Sequence, residues 1–356
     1  MAVDQFRWGG SNAFTDRARR VRQLTVALGC LLVVTCIASL SVGATGTTLW
    51  PILESLAAGH AIDPLDHVVM FEIRLPRLTL AVLVGAALAV SGALMQGLFR
   101  NPLADPGIVG VSAGAGLGAI SAIVLGALLP LQVQQALGSS VVALAAFAGA
   151  WVTTLVLYAV ATRAGQTSVA TLLLAGIAIS ALVSAVSGLL IYVADDAQLR
   201  DLTFWGLGSL AGATWAKVLT AGPIILAGLA LAPFLARGLN GLALGEAAAM
   251  HMGVPVQRMK RIAVLSVAAS TGAAVAVSGG IGFIGIVVPH LLRVATGPDH
   301  RVLLPNAAML GATLLLGADM IGRTVVAPAE LPIGIVTAVL GAPVFLFILL
   351  RKHGTF

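Results

Sequence analysis

Long uncharged runs alternate with short polar stretches along the whole chain. Twenty-two residues without a charge separate Arg77 from Arg100. A run of about 20 apolar residues crosses a hydrocarbon core as a helix. The stretch that follows, Arg100-Asn-Pro-Leu-Ala-Asp-Pro-Gly107, ends that helix, because proline has no N–H and its ring collides with the preceding turn. Windows of this kind predict ten helices, near 24–43, 78–98, 107–129, 138–161, 170–193, 215–236, 261–278, 284–297, 302–322 and 333–350. The eighth is short for a crossing, which predicts a start inside the membrane. The fold class is therefore all-α: a polytopic membrane protein with about ten transmembrane helices.

No polar linker divides the apolar region, so residues 24–351 read as one transmembrane domain after a polar N-terminal segment, 1–23. The apolar stretch after that segment is long for the core of a signal peptide, which predicts an uncleaved first helix. Cys30 and Cys36 fall on it six residues apart, a rise of about 9 Å that no disulfide spans. They are expected to be packing residues.

Composition agrees: 59% of the 356 residues are hydrophobic and 10% charged, where soluble domains carry about 25% charged residues. The net charge of +6 resembles a nucleic-acid signal until the basic residues are placed on the predicted topology. Fifteen fall on the side that holds both termini, and five (Arg74, Arg77, Arg200, Lys217 and Arg323) on the other. That asymmetry predicts cytoplasmic termini.

Gly85-Ala-Ala-Leu-Ala-Val-Ser-Gly92 recurs as Gly272-Ala-Ala-Val-Ala-Val-Ser-Gly279, on the second and seventh predicted helices. An odd offset of five crossings places the copies in opposite orientations, the plan of an inverted-repeat transporter. Small residues recur inside other spans, as in Gly114-Ala-Gly-Leu-Gly118, where they let helix backbones approach closely.

Three polar segments exceed what a connection needs. Segment 44–76 carries His60 and His67 with several carboxylates; 194–214 contains Asp195-Asp-Ala-Gln-Leu-Arg-Asp201; and 237–260 is the longest cytoplasmic connection, with a short helix expected between Gly245 and Met252. No G-x-x-x-x-G-K-[ST] phosphate loop occurs. The spans are nearly empty of ionisable groups, which argues against ion-coupled transport. His290 has no acidic or cysteine neighbour in sequence, which argues against an intramembrane enzyme.

Arg74-Leu-Pro-Arg77, Gln96 through Gly107, Gly282-Phe-Ile-Gly-Ile-Val-Val-Pro-His290, Asp299-His-Arg-Val-Leu-Leu-Pro305 and Glu330-Leu-Pro-Ile-Gly334 through Gly341-Ala-Pro343 occur in this order. The ordered set, over roughly residues 65–351, resembles the permease family of ABC importers for iron-siderophores, heme and cobalamin. The resemblance implies a type II importer fold and a homodimer of ten-helix subunits in the bacterial inner membrane. It also implies two cytoplasmic ATPase subunits that bind the ATP, a periplasmic binding protein, no catalytic residues and no stably bound cofactor or metal.

By that resemblance Arg74, Arg77 and Arg323 dock the binding protein. Exposed guanidinium groups suit such a role, because they pair bidentately with carboxylates; Asp319, one turn before Arg323, is placed to orient it. Gly245, Glu246, His251, Gly253, Val254 and Pro255 match the family's coupling loop to the ATPase. Arg258, Lys260 and Arg261 beyond it read as positive-inside anchors. Met250-His-Met252 has iron-ligating side chains, but its place in the coupling loop points to partner binding instead.

Segment 195–210 resembles the heme-importing branch. Arg200 suits a heme propionate, while Tyr192, Phe204 and Trp205 offer flat apolar surface. Ser180, Ser184 and Ser187 share a stripe on the fifth helix and are path candidates, although packing serines would look the same. Heme is the favoured cargo, with a ferric siderophore or cobalamin as the alternatives.

Overall fold

The apolar windows become helices, and the polar residues at their edges decide where each begins. The computed structural model describes residues 10–43, 48–138 and 140–352; residues 1–9, with Arg7, lie outside them. Helix α1 covers Gly10–Ser41, α2 covers Leu49–Ala57 and α3 covers Pro64–His67. A π-helical stretch, Val68–Arg74, carries α3 without a break into α4, Leu75–Phe99. The second crossing thus starts earlier than the apolar window. Asp63 caps it by accepting from the Leu65 N–H at 2.8 Å, with Pro64 at the first helical position.

Next come α5 (Val111–Leu125), α6 (Leu131–Leu137) and α7 (Ser140–Ala161). A two-residue hairpin of β1 (Thr162–Arg163) and β2 (Gln166–Thr167) leads into α8 (Val169–Val193). Segment 194–214, polar in sequence, folds largely as α9 (Asp196–Leu207) behind a capping box of Asp195 and Gln198. The chain closes with α10 (Trp215–Leu242), α11 (Glu246–His251), α12 (Val256–Ser278), α13 (Ile284–Thr296), α14 (His300–Gly322) and α15 (Ile333–Lys352).

Among the described residues eight helical stretches are long and apolar enough to cross a membrane, and two shorter apolar ones, Ile284–Thr296 and Ile333–Phe347, complete ten. Every window predicted from sequence coincides with one of them.

The repeat helices form the centre. The most apolar windows of α4 and α12 are each 78% buried, against 11% for α1 and 17% for α8, so α1 and α8 lie on the perimeter of the single chain. Gly97 abuts His300 and Arg77 meets Asp319, so α4 and α14 run antiparallel. Gly222 on Leu83 and Gly97 on Leu239 set α10 parallel to α4. Gly228 on Ser270 and Gly238 on Met259 turn α12 the other way. The two copies of the octapeptide therefore point in opposite directions.

Their neighbours correspond as well. Gly85 packs on Gly311 of α14, the ninth crossing, and Gly272 on Phe147 and Ala150 of α7, the fourth. Both partners are displaced by the same five crossings as the copies themselves.

Helix α13 begins in mid-bundle. A side chain at Gly92, some two-thirds of the way along α4, would meet the Gly285 carbonyl at 1.8 Å. The break ahead of α13 is built from Gly279 at φ 70° and Phe283 at φ 68°. Thirteen helical residues rise about 20 Å, less than a hydrocarbon core of about 30 Å, and the non-helical stretch before them supplies the rest.

Candidate functional site

Functional candidates gather at the two ends of the bundle. At the end carrying Arg74, the structure corrects one premise: the three arginines are buried, with relative exposures of 4%, 6% and 6% for Arg74, Arg77 and Arg323. Arg77 donates from Nε to Asp319 Oδ1 at 2.9 Å and from its terminal nitrogens to both oxygens of Glu330 at 2.8 and 2.9 Å. Arg323 donates to the carbonyl and hydroxyl of Ser39 at 2.7 and 2.8 Å, and Arg74 to the Leu40 carbonyl.

Asp319 does not chiefly orient Arg323. It lies 3.6 Å from the Arg323 Nε but 2.8 Å from an Arg77 nitrogen. The desolvated guanidinium groups need acceptors within the fold, and they take them from α1, α14 and the start of the α15 segment. Glu330, 36% exposed at its side chain, is the carboxylate of the pair that solvent reaches.

Nothing in the spacing marks Glu330 as the partner of Arg77, since 253 positions separate them. Its only sequence signal is the Glu-Leu-Pro that opens the last family-like motif.

The opposite end carries the loop between α10 and α12. Gly245 at φ 107° and Gly253 at φ 80° flank α11, conformations that a side chain would strain. Ala249 is buried and Val254 N–H donates back to the Ala249 carbonyl at 3.0 Å, so the loop is a fixed protrusion. Glu246 is half-buried; His251 and Pro255 are exposed. Leu244, Met250 and Met252 expose 72%, 56% and 54% of their surface, an apolar group beyond what a solvated loop needs.

Beside it, Asn240 donates to Asp299 Oδ1 at 2.6 Å and accepts from the His300 N–H at 2.9 Å, which joins the end of α10 to the start of α14. The Arg301 guanidinium holds the Asp299 carboxyl well below the usual carboxylate range. Gln96, from the second motif, accepts from Arg293 at 2.7 Å and so ties α4 to α13.

Lys260 also departs from expectation. It is not a surface anchor: it is 1% exposed, and its ammonium donates to Glu246 at 2.6 Å and to the Thr167 carbonyl at 2.7 Å. Sequence reasoning missed this contact because Thr167 lies in a hairpin that no hydrophobic period announces.

The path candidates lie on the perimeter. Ser184 is exposed, Ser180 and Ser187 half-buried, and Tyr192 at the end of α8 is 88% exposed. Arg200 and Phe204, four residues apart and so on one face of α9, are both exposed. Trp205 is half-buried, and its carbonyl lies against Gly279, beside the break before α13.

This bundle and its ordered motifs have known counterparts. The family model described as the FecCD transport family matches residues 31–351. The chain belongs to the FecCD transport family. It is 48% identical to the hemin transport system permease protein HmuU of Yersinia pestis, over 91% of this chain and 94% of that protein. The vitamin B12 import system permease protein BtuC of Klebsiella pneumoniae is 42% identical, over 94% of this chain and 96% of the relative. A solved metal-chelate type ABC transporter in an inward-facing conformation superposes with a TM-score of 0.80 at 33% identity, covering 93% of this chain and 99% of that one.

As a FecCD member the chain is a multi-pass permease subunit of an ABC importer. Permeases of this class work with an ATPase and a binding protein.

Proposed function

We propose that this FecCD permease carries heme across the bacterial inner membrane, as a homodimer with both termini in the cytoplasm and no covalent chemistry of its own. Two ATPase subunits dock on the α11 loop and hydrolyse the ATP. A periplasmic binding protein docks on the rim built by Arg74, Arg77 and Arg323, which it meets through the solvent-facing Glu330 edge. Ser180, Ser184 and Ser187 line the path along α8, and Tyr192, Arg200, Phe204 and Trp205 form its outer gate.

The observation that carries heme is the outer end of α8 and α9. There the exposed Tyr192 and Phe204 give flat apolar surface for a porphyrin face, and the exposed Arg200 gives a cation for a propionate. The 48% identity to a hemin permease supports the same cargo; relatives named for vitamin B12 at 42% to 44% keep cobalamin as the second reading.

The test is ATP hydrolysis by the permease reconstituted in nanodiscs with its ATPase and binding protein, the latter loaded in turn with hemin, a ferric siderophore or cobalamin. Stimulation by the hemin-loaded protein alone is expected, and Arg200→Ala should weaken it. Stimulation by cobalamin alone would discard the porphyrin reading of Tyr192, Arg200 and Phe204 and leave the importer assignment standing.

A further inference from the structure

We infer that Lys260 is a positioning residue that locks the coupling helix to the foot of α8, so that the two move as one body. The inference rests on α11 being the ATPase-docking element.

Lys260 is among the largest fully buried side chains of the described residues. A lysine that only anchored a span would extend its stem toward the lipid headgroups. This one turns inward and bridges two elements, Glu246 of α11 at 2.6 Å and the carbonyl of Thr167 in β2 at 2.7 Å. Gln257, on the preceding turn of α12, accepts from the N–H of the same Thr167 at 2.8 Å. Two side chains of one helix thus grip both backbone groups of one hairpin residue.

The gripped residue sits at a mechanical junction. Ser168, next in sequence, is the N-cap of α8, with its hydroxyl accepting from Thr171 N–H at 3.2 Å. The Thr167 hydroxyl is 2.9 Å from that of Thr162 and donates to the Tyr158 hydroxyl at 3.3 Å, which ties the hairpin to the end of α7. The hairpin is a short brace rather than a slack connection.

A buried ammonium that loses its acceptors keeps its desolvation penalty. If Glu246 is displaced with α11, Lys260 must follow it or lose its counter-charge, and Thr167 is held by the same ammonium. Movement imposed on α11 therefore reaches the start of the helix that carries Ser180, Ser184 and Ser187.

The experiment uses the full complex in nanodiscs, with Cys30 and Cys36 replaced by serine and spin labels attached at Ala170→Cys and Ala247→Cys. Both label positions are exposed. In dimers that pair one doubly labelled protomer with one cysteine-free protomer, electron double resonance should give one narrow label-to-label distance that is the same with and without ATP. In Lys260→Met that distance should broaden and become nucleotide-dependent. Transport per ATP should fall about tenfold, within the usual range for coupling between sites, while ATPase subunits still copurify. Lys260→Arg, which keeps the charge, should restore the narrow distance.

An unchanged distance and an unchanged transport-to-hydrolysis ratio in Lys260→Met overturn the inference. Should that variant fail to fold, Glu246→Ala replaces it; this removes the α11 end of the bridge while Lys260 keeps the Thr167 carbonyl, and the same two nulls apply. The distance readout needs no cargo, so it stands if hemin proves to be the wrong substrate. Leu244→Glu with Met250→Glu tests the underlying reading separately: ATPase that still copurifies with this variant sinks the docking role of α11, and the inference with it.

Discussion

Arg77 concentrates the electrostatics of one end of the molecule. Its guanidinium is shared between Asp319, which is 1% exposed, and the more accessible Glu330. Asp319→Asn removes the buried counter-charge but leaves Arg77 its Glu330 pair, so it is expected to destabilise the detergent-solubilised protein in thermal unfolding by about 1.5–3 kcal/mol, the range for a hydrogen bond to a charged group. Glu330→Gln should shift it by about 1 kcal/mol or less, because its side chain is screened by solvent. Equal shifts for the two would refute the burial-based ranking. The motif around Arg77 was legible in sequence, but its partners were not: Asp319 and Glu330 lie 242 and 253 positions away, and only the fold brings them together. Exposure failed as an expectation for the same reason. A charge at the edge of an apolar window reads as surface until three helices close over it.

Helices were the most legible feature, because a bilayer imposes one length on them and their windows need no tertiary knowledge. What escaped the windows were elements held by caps and breaks. Helix α9 depends on the Asp195–Gln198 box, and the second crossing is extended backward past Glu72, Arg74 and Arg77 by a π-helical stretch. The short eighth helix was visible as an oddity of length, and Gly92 shows what lets it start in mid-bundle. A side chain there would have to overlap the backbone of Gly285. Gly92→Ala is expected to drive α4 and α13 apart and abolish transport even where the protein still inserts. Gly116→Ala, which meets nothing within 4 Å, serves as the matched control and should transport normally. Similar activity in both variants would show that the α4–α13 contact tolerates widening.

Across the whole molecule, the charge asymmetry and the repeat make one joint statement about orientation. The structure supplies the opposed directions of α4 and α12, and the fifteen-to-five division of basic residues proposes which end faces the cytoplasm. In right-side-out vesicles of a cysteine-free background, His60→Cys should react with a membrane-impermeant maleimide while His251→Cys is protected until the vesicles are lysed. The reverse pattern would invert the molecule and exchange the roles given to its two ends.

The apolar tip of the α11 loop bears on how such a subunit survives before it is assembled. Leu244, Met250 and Met252 project from a protrusion that glycine geometry keeps from folding back. If α11 faces the cytoplasm as proposed, a newly inserted copy without its nucleotide-hydrolysing partner would present a sticky surface to the cytosol, of the sort that chaperones and proteases recognise. On the docking role proposed for α11, the loop that transmits force in the finished transporter would also mark unfinished ones for removal. Such recognition would match the supply of permease to that of its motor without a separate sensor.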